Sequence, residues 1–177
     1  MPRLSVDIDL DFTTNVAREE MLEIKKTITE TLLTYMDKSG YLLDPRSRQH
    51  HALDWFKFNY VNSSGLNDVI KIEINYMLRC HILEPVTVKN NELGLIKSID
   101  IRALNPYEIF GSKLVALMTR STPRDLYDFY NLFKYDVFTN EELSMIRKCA
   151  IYYRAISNED RNYEFEISNI KQNLQEI

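Results

Sequence analysis

The stretch LSVDIDLDF, residues 4–12, decides the fold, because its apolar and polar residues alternate without a break. Alternation with a period of two predicts a β-strand whose faces differ in character. One face is apolar and is expected to be buried, and the other is acidic. The apolar face carries Leu4, Val6, Ile8, Leu10 and Phe12, and the polar face carries Ser5, Asp7, Asp9 and Asp11.

A helix is predicted directly after this strand, over residues 16–39. Asn15 is the expected N-cap, and Gly40 is the expected stop at the C-terminal end. Apolar residues recur at helical spacing and predict a buried stripe. The stripe consists of Ile24, Ile28, Leu32 and Tyr35.

Two strand-like runs follow the polar connection at 40–51: residues 52–61 (ALDWFKFNYV) and 69–78 (VIKIEINYML). The intervening NSSGLND is rich in turn formers, so the two runs are predicted to form a hairpin. In the second run, three isoleucines occupy one face, and the opposite face carries Lys71, Glu73 and Asn75. Another strand is predicted at 97–104, after a loop around residues 90–91.

The pattern changes to helical spacing from Pro106 onward, with helices predicted at 106–120, 123–134 and about 140–156. Asn105 is expected to cap the first helix, and Thr139 or Asn140 the third. A short strand or helix with a frayed end is expected at 162–177. The predicted fold class is therefore α+β, with a small mixed sheet at residues 1–104 followed by a helical bundle at 105–177.

Composition places few limits on function. The chain has 177 residues and a formal net charge of −4, so a basic nucleic-acid footprint is absent overall, although local basic clusters are still compatible with RNA. Cys80 and Cys149 lie in apolar stretches without CxxC spacing and are expected to be buried thiols, which fits a reducing compartment. With no signal peptide and no apolar run near ~18 residues, a cytoplasmic protein without membrane spans is expected.

Asp7 and Asp9 project from the same face of the first strand, roughly 6–7 Å apart by the strand rise. Two such carboxylates repel each other, and a bound divalent cation would relieve that repulsion. Glu73 could reach the same metal if the hairpin pairs beside this strand. The alternative is an exposed edge strand and a solvated Lys–Glu–Asn face, since acidic residues are usually exposed.

The helical segment from 106 to 134 holds a second cluster of charges. Lys113 and Arg120 are seven residues apart and share a helix face. A tight turn at the end of that helix would bring them near Arg124, Asp125 and Asp128 of the next helix. Lysine and arginines beside metal-bound carboxylates form a triphosphate-binding set. The alternative is an ion-paired helical hairpin, with Arg124 and Asp128 as a surface pair.

Together the two blocks resemble the AbiEii/AbiGii toxin family, a branch of the DNA polymerase β superfamily of nucleotidyltransferases. Residues 3–12 match that family's RxSxDxDhxF strand, and residues 113–128 match its K-L-x-A-L…R…R-D-x-x-D signature. The order and separation of the blocks also match. The resemblance covers about residues 3–135, and the combination of motifs is specific although neither motif is specific alone.

The resemblance implies a polymerase β-like fold and the activity of a toxin from a toxin–antitoxin or abortive-infection system. Some family members transfer nucleotides from an NTP to RNA acceptors, including tRNA 3′ ends, and a cognate antitoxin is the implied protein partner. Asp7 and Asp9 would hold Mg²⁺ (or Mn²⁺), and Lys113 would contact the nucleotide phosphates. Asp128, with Asp125 as the alternative, would be the acidic residue of the last motif.

The remaining motif positions are expected to contact substrate. These residues are Arg3, Ser5, Arg120, Arg124 and Asp125. Ser5 matches the family serine next to the metal ligands, which in related toxins can be modified to silence the enzyme. It is therefore also a candidate regulatory position.

One departure from the family pattern matters. Members carry a Gly-Gly-Ser/Thr turn before the DxD strand, where the backbone approaches the triphosphate. None of the four glycines here is doubled or upstream of Asp7. A truncated or degenerate copy that binds nucleotide, RNA or antitoxin without catalysis is therefore the alternative function. An uncovered edge on the DxD strand would also lower stability or favour a homo-oligomer.

A third hypothesis takes no account of the family. The aromatic residues in 127–138 could form a partner-binding surface of a helical interaction module. The alternative is that they pack inside the helical core, as such stripes usually do.

Overall fold

The computed structural model describes residues 7–89 and 98–157. Within these ranges the chain forms a mixed sheet, a separate two-stranded sheet and four helices, which confirms the predicted α+β architecture. None of the helices in these ranges is long and apolar enough to cross a membrane. The elements are β1 (Asp7–Asp11), α1 (Arg18–Lys38), β2 (Leu42–Leu43), β3 (Arg48–Gln49), β4 (Leu53–Val61), β5 (Asn67–Asn75), β6 (Val86–Lys89), β7 (Asp100–Ala103), α2 (Pro106–Arg120), α3 (Pro123–Lys134) and α4 (Asn140–Ile156).

The larger sheet has the strand order β1-β5-β4-β2, with β3 also paired to β4. Strands β4 and β5 form the predicted antiparallel hairpin, and β1 lies parallel to β5. The hairpin turn is closed by Asn62, whose side chain accepts hydrogen bonds from the backbone N–H groups of Ser64 and Leu66. Gly65 has φ +76 at this turn, a conformation that glycine adopts without strain.

Helix α1 covers one face of this sheet and buries the core of the first half of the chain. The predicted stripe residues Ile24, Ile28 and Leu32 pack against the core, as expected. Tyr35 does not, because it is 67% exposed. The stripe continues instead by a step of four residues, from Leu32 to the buried Met36. The buried core residues are Phe12, Met21, Met36, Phe56, Phe58, Ile72, Ile74 and Tyr76.

A buried ion pair anchors α1 to the sheet. Lys25 Nζ lies 2.7 Å from a carboxylate oxygen of Asp54, whose side chain is fully buried. The same ammonium lies 4.3 Å from the centroid of the Tyr76 ring. Burial, followed by the charge of Asp54 and a hydrogen bond to it, raises the pKa of Tyr76 to about 12. Tyr76 therefore stays neutral. Lys25 is the cation that pairs with the buried Asp54 of β4.

The apolar face of β1 is less buried than the alternation predicts. Phe12, just past the strand, is buried, but Ile8 and Leu10 are each 47% exposed. β1 lies at the end of the strand order, so it has the single described neighbour β5. An edge position leaves its side chains covered from one side only, which explains why the expectation of a buried face is wrong here.

Helix ends follow the predicted signals at three of four positions. Asn105 accepts a hydrogen bond from the N–H of Tyr107 at 3.1 Å, and Thr139 forms a capping box with Glu142. Gly40, with φ +82, ends α1 as expected. The expected N-cap Asn15 is wrong, because α1 begins at Arg18 and its N-cap, Ala17, makes no side-chain cap bond.

The chain divides into two compact units, Met1–His81 and Ile82–Ile177. The second unit contains the β6–β7 hairpin, of which the sequence pattern predicts only the second strand, because β6 is a run of four residues after a proline. The compact units divide between His81 and Ile82. The functional domain boundary expected after residue 104 remains a prediction. The segments predicted at residues 1–6, at the loop around 90–91 and at 162–177 lie outside the described residues.

Helices α2 and α4 approach closely at Gly111. A Cβ added there would lie 2.5 Å from Cβ of Cys149 and 2.9 Å from the backbone N of Ala150. Cys149 is fully buried at this contact, and burial raises the pKa of its thiol. The predicted burial of Cys80 is wrong, because this residue is exposed in the segment after β5.

We expect Gly111→Ala to destabilise the protein by about 1–3 kcal/mol, because the methyl group forces two packed helices apart. The gain in helix propensity, about 1 kcal/mol, acts in the opposite direction. Urea denaturation measures the difference, with Ser112→Ala on the same helix as the control and an expected change within about 0.5 kcal/mol. A Gly111→Ala protein as stable as the wild type would contradict the close approach.

Candidate functional site

The polar face of β1 and β5 brings the predicted acidic residues together. In the parallel register Asp9 is opposite Glu73 and Asp7 is opposite Lys71. Residues paired in register project from the same face, so Asp7, Asp9 and Glu73 share one surface of the sheet. Asp9 is exposed and the other two are partly exposed. The hairpin therefore pairs beside the DxD strand, which is the arrangement that Glu73 needs to lie near Asp7 and Asp9.

The acidic residues on this face differ in their partners. Asp7 Oδ1 lies 3.6 Å from Lys71 Nζ. Asp11 accepts a hydrogen bond from the amide of Asn75 at 2.9 Å and lies 3.7 Å from His81 Nε2. Within the described ranges, the Asp9 and Glu73 carboxylates have no hydrogen bond or ion pair. Asp11 is therefore held by the protein, while Asp9 remains available to a ligand.

The donor set of this face fits a magnesium ion. Mg²⁺ takes oxygen ligands and is typically held by one or two carboxylates together with the phosphates of a substrate. Asp7 and Asp9 supply such a pair, and Glu73 lies beside Asp9 in register. Among the residues that the structure describes, no group of three His, Cys, Asp or Glu side chains is already arranged to hold a metal. The face suits a metal that arrives with phosphate ligands of its own.

Trp55 is a site neighbour that the sequence pattern did not identify. It pairs with Glu73 in the β4–β5 register, so Asp9, Glu73 and Trp55 form one row across three strands. It is the single tryptophan of the chain and is partly exposed. Because Trp55 precedes the buried Phe56, alternation along β4 puts it on the opposite face. That this is the face of Asp9 and Glu73 follows only from the strand order.

The second cluster links α2 to α3 through two ion pairs. Lys113 Nζ lies 2.7 Å from Asp128 Oδ2, and the guanidinium of Arg120 donates two hydrogen bonds to Asp125, at 2.6 and 2.8 Å. The turn between the helices is tight, with Ser121 in the left-handed region at φ 50. The predicted approach of these charges across the turn is confirmed.

Asp125 ionises readily although it is buried. Burial opposes its charge, but hydrogen bonds from Arg120 and Thr122 and the charges of Arg120 and Lys113 outweigh burial, so its pKa is lowered. Thr122 is the N-cap of α3 and donates to Asp125 Oδ2 at 2.6 Å. Asp125 therefore fixes the start of α3 and holds Arg120, whose side chain remains 58% exposed.

Arg124 does not pair with Asp128 as the surface-pair alternative requires. Asp128 is 3% exposed and binds Lys113, whereas Arg124 is exposed. In the part of the chain that the structure describes, Arg124 makes no hydrogen bond or ion pair. Arg124 lies one helical turn before Asp128, but the Asp128 carboxylate is bound by Lys113 of α2 instead.

Glu108 is a buried carboxyl group whose role as a hydrogen-bond acceptor the sequence does not predict. It is fully buried, and it accepts hydrogen bonds from the backbone N–H groups of Ile82 and Leu83 and from the hydroxyl of Tyr153. These bonds join the start of the second unit to α2 and α4. A glutamate in the first turn of a helix ordinarily faces water, so its sequence position carries no signal of burial.

We expect the stability that Asp125 contributes to depend on pH. Its folded-state pKa lies below the ordinary value of 3.8, so the contribution is complete above that pH and is lost as pH falls toward the folded-state pKa. Urea denaturation from pH 6 to pH 3 should therefore give a shallower acid slope for Asp125→Asn than for the wild type. Identical slopes would contradict the ionised Arg120–Asp125 pair.

Arg3 and Ser5, the other predicted substrate-binding residues, lie outside the described residues. The remaining candidates fall into two groups, one in each compact unit. The first unit carries Asp7, Asp9 and Glu73, and the second carries Lys113, Arg120, Arg124, Asp125 and Asp128.

The described residues form an acidic sheet face in the first unit and an ion-paired helical turn in the second. The chain belongs to the family described as "Nucleotidyl transferase AbiEii toxin, Type IV TA system", whose pattern matches residues 1–176. No curated protein is significantly similar to it in sequence. A solved structure described as a "putative nucleotidyltransferase from H. pylori" is similar with a TM-score of 0.49 and 16% identity, over 98% of this chain and 76% of that chain.

Proposed function

We propose that this chain is a nucleotidyltransferase that uses Mg²⁺ or Mn²⁺ to transfer NMP from an NTP to an RNA acceptor, tRNA included. The observation that carries the proposal is the register of β1 and β5, which sets Asp9 opposite Glu73 with Asp7 on the same face. Family membership supports the reaction type.

In the proposed reaction an acceptor hydroxyl oxygen attacks the α-phosphorus of the NTP. The bond between that phosphorus and the bridging oxygen breaks, pyrophosphate leaves, and the hydroxyl proton passes to water. Asp7 and Asp9 would hold the metal with help from Glu73. The bound metal would neutralise phosphate charge and lower the pKa of the acceptor hydroxyl.

Lys113 and Arg120 would bind the triphosphate. Both are held in place by buried carboxylates, Asp128 and Asp125, while their own side chains remain 32% and 58% exposed. A cation whose orientation is fixed before substrate arrives loses less entropy on binding. Asp128 and Asp125 would then act as positioning residues.

Labelled nucleotides test the proposal. The full chain is incubated with total bacterial RNA, Mg²⁺ or Mn²⁺, and each of the four NTPs labelled at the α-phosphate, with γ-labelled NTPs as the matched control. The proposal predicts RNA labelled from one or more α-labelled NTPs and never from γ-labelled ones. Label from the γ position would mean phosphoryl transfer and would overturn the proposed reaction.

A second candidate is a non-catalytic binder of nucleotide, RNA or a cognate antitoxin. It is favoured by the engagement of Lys113 and Arg120 in ion pairs with the α3 carboxylates, which is what a purely structural helical turn would need. This candidate predicts that a folded chain binds RNA or nucleotide and yet incorporates no α-label from any NTP.

A further inference from the structure

Helix α3 presents an aromatic face to solvent. Its inner side buries Phe129 and Leu132, but the outer side carries large apolar residues that are 39 to 61% exposed. These outer residues lie at helical spacings of three and four and form one continuous strip. We call this strip the α3 aromatic face; it consists of Leu126, Tyr127, Tyr130 and Phe133.

The aromatics of 127–138 divide between the two alternatives that the sequence leaves open. Phe129 is buried in the helical core, whereas Tyr127, Tyr130 and Phe133 are 44%, 57% and 61% exposed. Exposed aromatic clusters of this kind are typical of binding surfaces. The proposed chemistry leaves the strip without a role, because Lys113, Arg120 and their partners lie on the inner side of the turn.

The charged side chains of α3 itself that are exposed to solvent are cations. Lys134 Nζ lies 5.5 Å from the ring centroids of both Tyr130 and Tyr135. Arg124 is exposed at the other end of the helix. The two carboxylates of α3, Asp125 and Asp128, point inward and are neutralised by Arg120 and Lys113. The outer surface of α3 therefore carries two cations and no carboxylate of its own.

Aromatic rings flanked by cations bind single-stranded nucleic acid. Bases stack on the rings, and lysine or arginine contacts the phosphates. The tyrosines, Phe133 and Arg124 are residue types that protein interfaces also favour, but Lys134 is of a type that is depleted there. A lysine held over two tyrosine rings is suited to a polyanion whose bases can also stack there.

We propose that the α3 aromatic face binds the single-stranded end of the RNA acceptor, with bases on Tyr127, Tyr130 and Phe133 and phosphates at Arg124 and Lys134. The identification of the ligand as RNA rests on the proposed function. Rings three residues apart on a helix have Cβ atoms about 5–6 Å apart, so neighbouring rings can serve successive bases.

Fluorescence anisotropy with a labelled, mixed-sequence single-stranded RNA 12-mer tests this surface without NTP or divalent metal. Tyr130→Ala and Phe133→Ala are each expected to weaken binding roughly tenfold, the usual scale for losing one stacking ring. Tyr130→Phe keeps the ring and should bind as the wild type does. Tyr35→Ala removes another exposed tyrosine, on α1, and is the matched control, with unchanged affinity expected.

The salt dependence gives an independent readout of the cations. Lys134→Gln should reduce the slope of log K against log salt by about 0.7, the value for one phosphate contact on a single strand. The inference is overturned if a folded Tyr130→Ala/Phe133→Ala protein binds the 12-mer as tightly as the wild type. It is equally overturned if that variant retains RNA binding but converts a wild-type dimer to monomer in sedimentation, since the face would then be a contact between two copies.

The same assay separates this inference from the proposed function. An Asp7→Asn/Asp9→Asn protein should bind the 12-mer with wild-type affinity, since those residues do not belong to the α3 aromatic face. If wild-type protein binds RNA through α3 but transfers no nucleotide, the surface is supported and the proposed reaction fails. If the wild type transfers nucleotide, and Tyr130→Ala changes neither this transfer nor RNA binding, the proposed reaction is supported and the RNA-binding role of the α3 aromatic face is rejected.

Discussion

Asp9→Asn is expected to lower nucleotidyl transfer by roughly three orders of magnitude, the scale on which one preorganised electrostatic group acts in catalysis. The amide is nearly isosteric with the carboxylate but is a far weaker metal ligand. Asp9 is exposed and has no hydrogen bond or ion pair among the described residues, so the substitution should leave the unfolding midpoint unchanged. Transfer of α-label to RNA and thermal unfolding measure the two effects.

Two control variants make this result specific. Glu30→Gln removes one negative charge from an exposed position on α1 and should leave transfer unchanged. Asp11→Asn alters an acid on the same face as Asp9, but one whose carboxylate is held by Asn75. Transfer in Asp11→Asn should therefore fall much less than in Asp9→Asn. Wild-type transfer by the Asp9→Asn protein would contradict the proposal that Asp9 binds the metal.

The largest loss of stability is expected for Glu108→Ala, about 3 kcal/mol. The change leaves a cavity and removes the carboxylate that accepts hydrogen bonds from the backbone of Ile82 and Leu83 and from the hydroxyl of Tyr153. An unsatisfied buried donor costs about 1–3 kcal/mol, and some relaxation toward water is expected here. Urea denaturation followed by far-UV circular dichroism measures the effect.

Glu141→Ala is the matched control for this prediction, since it removes an exposed glutamate from the first turn of α4. Its expected cost is below about 1 kcal/mol, the range for an acid at a helix N-terminus. Equal losses in the free energy of unfolding for the two variants would mean that the hydrogen bonds of Glu108 do not hold the start of the second unit to α2 and α4.

The sequence predicts the elements that depend on local chemistry. Strand β1 follows from strict alternation, and the β4–β5 hairpin from the turn formers around Gly65. The helix caps at Asn105 and Thr139 follow from side chains that bond their own backbone. Alternation also fixed Glu73 on the polar face of its strand, so its position opposite Asp9 needed only the pairing of β1 with β5.

The remaining features depend on tertiary neighbours, which local patterns do not encode. Ile8 and Leu10 have the pattern of buried residues but lie on an edge strand. Glu108 has the pattern of a solvated helix start but is enclosed. Tyr130 and Phe133 have the spacing of core residues, yet α3 uses its other side for the core.

The central claim is that the polar face of β1 and β5 binds the metal and the nucleotide, and Trp55 fluorescence tests it most directly. Trp55 is the single tryptophan and lies in the same row as Asp9 and Glu73. Titration with Mn²⁺ and NTP should change the emission of the wild type and of Glu30→Gln in a saturable way, but not that of Asp7→Asn/Asp9→Asn. A saturable change that is the same in the double variant, or none in the wild type, would contradict the claim.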